Sequence, residues 1–187
     1  MVIARTVVSG KQGRDYNLLR MKQLYVIMSL FTTLFGCGGQ VKNTETKNIY
    51  PEERFSVLQA EIDGKPVIGS MNMSYKDYDK KEEYIWCLKI TIGLDSLQQN
   101  GLPQGDEAII AKQLEDELTG KIKKLAITHY IGHIFYDGFL DVYIYMADPN
   151  KAHRYLQQQI DKKGLIRPFG YVINEDKEWK IIEEFMR

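Results

Sequence analysis

The chain has 187 residues with 25 basic and 25 acidic side chains, enough for one domain with a real core and too few for two ordinary ones. The neutrality hides an asymmetry: from Cys37 onward 20 basic residues face 24 acidic ones, a net charge of −4. With no basic tract to neutralise a phosphate backbone, nucleic-acid binding is not expected, and two cysteines are too few for a disulfide framework or a four-ligand zinc site.

The amino terminus reads as an address. Residues 21–39 are MKQLYVIMSLFTTLFGCGG: Lys22 is a short positive start, residues 24–35 are an apolar run, and Gly36-Cys37 is a small-residue stop. The run is shorter than the roughly 20 apolar residues that span a bilayer. The pattern resembles the bacterial lipoprotein signal, with Leu34 and Gly36 at its lipobox positions. It implies that residues 1–36 are a signal peptide and that Cys37 carries lipid. Met21 makes the better start, so residues 1–20 are expected to be a miscalled beginning. Residues 37–51 read as the lipidated cysteine and a polar tether ended by Pro51, with an r.m.s. span of roughly 20 Å. A diacylated, amide-acylated cysteine would anchor the chain stably to a bacterial cell envelope. In a host with two membranes, Gly38 points to the outer one.

Residues 52–187 read as one α+β domain. Strands are expected over 54–62 and 67–74 about the turn Asp63-Gly64, followed by a charged loop over 76–83. Residues 84–94 (YIWCLKITIGL) are the strongest strand. A helix over 106–119 should stop at Gly120. Strands over 125–136 and 139–147 close on Asp137-Gly138. The second helix has Asp148 as N-cap, Pro149 in its first position and Gly164 as terminator. A last strand covers 167–173, and residues 179–185 suit helix or strand. From Tyr84 onward the order is β-α-β-β-α-β. That predicts a ferredoxin-like antiparallel sheet with two helices on one face, preceded by an extra β-hairpin that extends the sheet or folds across its other face.

Several short motifs carry a family resemblance. They are Tyr84-Ile85-Trp86-Cys87-Leu88, Gly101-Leu102-Pro103, the pair Glu115-Asp116, the strand Asp141-Val142-Tyr143-Ile144-Tyr145, and Trp179. In this order and spacing the domain resembles the bacterial family called domain of unknown function 695. A more distant likeness is to a bacterial inhibitor of an RNA-degrading nuclease, whose partner is cytoplasmic. The first resemblance implies a fold and supplies no catalytic residues.

Nothing in the sequence specifies chemistry. His129 and His133 lie in a strand, where four residues span about 13 Å, too far for one zinc ion. The acidic runs Glu82-Glu83, 115–117 and Glu183-Glu184 read as solvated surface, because contiguous helical residues do not share a face. No nucleophile elbow or phosphate loop is present, so no cofactor and no enzyme of a known motif class is expected. Tyrosine is abundant, with 12 copies. A two-residue turn at Asp137-Gly138 would pair Tyr130 with Tyr145, Gly132 with Tyr143 and Tyr136 with Phe139, placing them with Asp141 on the helix-free face. Tyr130, Tyr143, Tyr145 and Asp141 are therefore the candidate binding face for an unidentified protein or small ligand. The alternative is that the first hairpin or a partner domain covers them as core. A hydrolytic site would need His129 or His133 to meet Asp141, and a nucleic-acid or nuclease regulator would require a cytoplasmic product.

Overall fold

A computed structural model of the chain describes residues 3–5 and 49–187. Of the expected signal only residues 3–5 are described, and Cys37 and most of the tether lie outside the described residues. The strands are β1 (Ile3–Arg5), β2 (Phe55–Ile62), β3 (Lys65–Asn72), β4 (Trp86–Gly93), β5 (Thr128–Tyr136), β6 (Phe139–Met146) and β7 (Phe169–Glu175). They form one antiparallel sheet in the order β1-β7-β4-β6-β5-β3-β2. The helices α1 (Glu107–Leu125) and α2 (Asn150–Ile160) cross between β4 and β5 and between β6 and β7. Three 3-10 helices complete the domain: Met73–Tyr75, Lys81–Glu83 and the terminal Lys180–Met186.

Both tight turns form where Asp-Gly was expected. Asp63-Gly64 and Asp137-Gly138 all hold positive φ, the twist that matches flanking antiparallel strands. The first hairpin extends the sheet by pairing β3 with β5.

Helix α1 runs through Gly120, where the sequence predicted a stop. Its stripe Ala111, Leu114 and Leu118 continues to Ile122, all buried, and that burial outweighs the roughly 1 kcal/mol disadvantage of a helical glycine. Lys123 and Lys124 suit the carboxyl end of the helix dipole. Helix α2 begins one residue later than expected, with Pro149 at the N-cap. Asp148 still serves the helix start, its carboxylate accepting from Asn150 N at 2.9 Å. The helix ends at Ile160, and Gly164 takes its left-handed φ in the loop beyond.

Two cores result. Leu88, Ile90, Leu140, Val142 and Ile144 point to one face and pack with Leu114, Leu118, Ala152 and Leu156 of the helices. On the other face Cys87, Tyr143 and Tyr145 pack under Trp179, Ile182, Phe185 and Met186 of the terminal segment. Burial pushes the Cys87 thiol up to about 12, so it is an inert apolar filler. A bidentate ion pair joins the start of α1 to the approach to β7. Arg167 Nε and Nη2 donate to the two oxygens of buried Glu107, each at 2.7 Å, and Asp95 N adds a third bond at 3.1 Å. The Arg167 hydrogen bonds hold Glu107 below the ordinary carboxylate range.

Candidate functional site

The ladder between β5 and β6 holds the expected pairs Tyr136 with Phe139 and Gly132 with Tyr143, then shifts by one residue. Ile131 is the extra residue of a β-bulge, so Tyr130 faces Ile144 and His129 faces Tyr145. Gly132 makes the bulge possible. Its φ is +148°, and a Cβ there would lie 2.1 Å from Ser70 O. The shift corrects the expected pairing of Tyr130 with Tyr145. Tyr130 joins the helix-side core, and His129 moves to the aromatic face.

That aromatic face is closed. Tyr145 is wholly buried and stacks on Trp179 at 3.9 Å and 16°, and Tyr143 packs on Phe185 with centroids 5.7 Å apart. The cover is neither the first hairpin nor a partner domain but the terminal 3-10 segment. Asp176 fastens it, accepting from Tyr145 Oη at 2.5 Å and from Lys180 N and Ile181 N at 2.9 Å each. Trp179 Nε1 donates to Tyr84 O at 3.0 Å. Burial raises both the Tyr143 and Tyr145 hydroxyls far above the ordinary tyrosine value. Asp141 lies farther along β6, accepting from Thr91 Oγ1 at 2.5 Å with Lys89 Nζ 3.4 Å away. Of the four candidates, Tyr143 and Tyr145 are core, Tyr130 is on the opposite face, and Asp141 is an ion-paired sheet residue. The histidines do not meet Asp141 either. His133 pairs with Val142 on the helix side, and His129 sits opposite Tyr145, four residues along β6 from Asp141.

The open surface is elsewhere. Residues directly opposite share a face, so on the helix side His133, Ser70 and Val57 form one row across β5, β3 and β2, and Phe135, Ile68 and Gln59 form the next. Both helices pack over β4–β7, and among the described residues nothing covers β3 and β2 on this side. Val57 is 58 % exposed, Phe55 48 % and Ile68 39 %. These apolar side chains make a floor two strands wide, roughly 10 Å, beside a wall formed by α1. Among the described residues strand β2 is also an edge of the sheet, and its eight residues carry neither lysine nor proline, two of the devices that blunt an edge.

A polar cluster sits where floor meets wall. Glu115, only 1 % exposed, reaches from α1 to accept from Tyr130 Oη at 2.5 Å, with His133 Nδ1 at 3.3 Å and Lys112 Nζ at 3.2 Å. His133 Nδ1 also lies 2.9 Å from the Tyr130 hydroxyl. Because that hydroxyl gives its proton to Glu115, the imidazole donates from Nδ1. Burial disfavours the Glu115 charge, but His133, Tyr130 and Lys112 outweigh it and lower its pKa. Burial, then Glu115, pushes the Tyr130 hydroxyl far up. The Phe55 ring closes the row, 6.2 Å from that of Tyr130. Reading 115–117 as uniformly solvated was therefore wrong for Glu115: one residue beyond Leu114, it still points inward, and only paired charges tolerate that position.

This domain, floor and cluster included, corresponds to one known family. Residues 53–186 match the profile of the Family of unknown function (DUF695). The chain belongs to DUF695. No curated protein matches it, and no solved structure does. Within the DUF695 domain, two signals could have located the site. Gly132 inside a strand pattern hints at a bulge. In FSVLQAEI, Phe55 and Val57 fall on one parity and Leu58, Ala60 and Ile62 on the other, which marks a hairpin apolar on both faces.

Proposed function

We propose that the chain is a bacterial cell-envelope lipoprotein, acylated at Cys37, whose DUF695 domain is a non-catalytic binding module for a protein or small ligand. The strands of the βαββαβ unit lie as last, first, third, second, which supports a ferredoxin-like fold with the β2–β3 hairpin added beyond its β5 edge. The binding reading rests on one observation, the bare floor of Phe55, Val57 and Ile68 beside the Glu115–Tyr130–His133 cluster. An apolar surface with a few fixed polar groups at its margin is the usual composition of a binding site.

A photo-crosslinking residue at position 57, in the native cell, should yield a discrete adduct that Ile68→Asp removes. Crosslinking no stronger than from a residue at Lys151, on the exposed side of α2, would overturn the site. In the same cells labelled palmitate should enter the protein and be absent from Cys37→Ser. An unlabelled wild type would overturn the anchor and leave the floor untouched.

A further inference from the structure

Three stretches of chain distant in sequence converge on His129. Tyr50 comes from the end of the tether, Tyr75, Tyr78 and Tyr84 from the segment after β3, and Trp179 from the start of the terminal segment. Their ring centroids lie 4.0 to 6.2 Å from the imidazole. Tyr78 Oη donates to Ile49 O at 2.7 Å, fastening the tether to the same cage. The imidazole is fully buried. Its Nδ1 lies 3.1 Å from Tyr75 Oη, and its Nε2 has no hydrogen-bond partner.

Those two facts favour the uncharged form. The Tyr75 hydroxyl satisfies Nδ1 in either neutral tautomer, and Nε2 is left among aromatic faces. Tyr84 stands at 70° to the imidazole with centroids 4.0 Å apart, where an N–H···π contact is available. A second ring proton would leave Nε2–H without an acceptor and put a charge in a dry cage.

The groups facing that charge offer it little. From the tether comes Tyr50, with Glu53 acting on Tyr75. The segment after β3 brings the three tyrosines and Lys80, with Asp79 and Glu83 beside Tyr78. On the terminal side is Trp179, with Asp176 committed to Tyr145 and two backbone N–H groups. Trp179 also holds a left-handed φ of 56°, strained for a residue with a side chain; release would relieve it.

We propose that His129 is the pin of an acid-sensitive latch. Its protonation frees the tether end, the 73–84 segment and the terminal 3-10 segment, and uncovers Tyr143 and Tyr145. This does not rest on the floor or on acylation of Cys37. Burial, with a smaller contribution from Lys80, holds the closed-state imidazole down at about 4, against about 6.5 when it is open to water. The closed latch is therefore fully favoured above pH 6.5, and its advantage is lost as pH falls from 6.5 towards 4.

Hydrogen exchange of the full chain, corrected for intrinsic rates, tests this. Between pH 6 and 4.5 the opening constant of residues 73–84 and 179–186 should rise about tenfold per pH unit, while α1 and β6 stay protected. In His129→Gln the slope should vanish. A slope that persists would assign the opening to Asp176, Glu53, Asp79 or Glu83 and overturn the latch, as would exchange that rises equally in every element. Should His129→Gln fail to fold, ring-nitrogen NMR of the wild type decides. A neutral imidazole at pH 5.5 is expected, and a doubly protonated ring at that pH overturns the proposal.

Discussion

The two faces of the sheet are closed by different physical means. On one, aliphatic side chains of β4 and β6 meet the aliphatic stripes of two helices, whose backbone hydrogen bonds are satisfied internally. On the other, tyrosines meet a cover of 3-10 turns, whose N–H groups need partners from outside. Asp176 provides them for Lys180 and Ile181, and the Trp179 indole N–H donates to Tyr84 O. Aliphatic packing is tolerant in direction, so the helices need only periodicity. The aromatic side depends on particular rings and hydroxyls, and a single substitution there should cost more. The bare floor of β2 and β3 belongs to the helix side without being covered by it.

The sharpest test of that contrast is Trp179→Ala, which removes the ring stacked on Tyr145. It should destabilise the domain by about 3–5 kcal/mol, a fall in Tm of roughly 10 °C by calorimetry. A loss no larger than that of Leu156→Ala on the opposite face would break the comparison. An intermediate effect is expected at the junction of floor and wall. Glu115→Gln should cost about 1–3 kcal/mol in urea unfolding at pH 7. Because the folded carboxyl is depressed, its stabilisation is present above the unfolded value and lost as pH falls through the folded one. The penalty of the substitution should therefore shrink in acid. The smallest effect belongs to Val57→Ser on the floor, within about 0.5 kcal/mol. A larger loss by the same measurement would mean that the floor is covered in solution.

Much of the architecture was readable from the residues. The two Asp-Gly turns, the six strands from β2 to β7 and both helices lie where periodicity and turn chemistry put them, because those signals are local. Helix α1 outran its expected end because a tertiary gain at Ile122 outweighs a local signal at Gly120. The candidate face was misassigned for a similar reason. Alternation along β5 was counted from the Asp137-Gly138 turn, and the count held only as far as Gly132. Beyond it the bulge reversed the sides of Tyr130 and His129. Glu115 stayed hidden because its partners, Tyr130 and His133, come from a different element. The spacing of Glu115 from Ala111 and Leu118 puts it on the buried stripe, but a carboxylate among charged neighbours reads as surface until those partners are known. The cover over Tyr145 lay too far along the chain for any window to connect the two.

Ile131 is an addition to the ladder rather than one of its rungs. A chain lacking it would pass directly from Gly132 opposite Tyr143 to Tyr130 opposite Ile144, with every flanking side chain still on its present side. Strand β5 could therefore shorten by one residue and keep its other side chains on their present sides, losing only the buried Ile131 from the aromatic-side core.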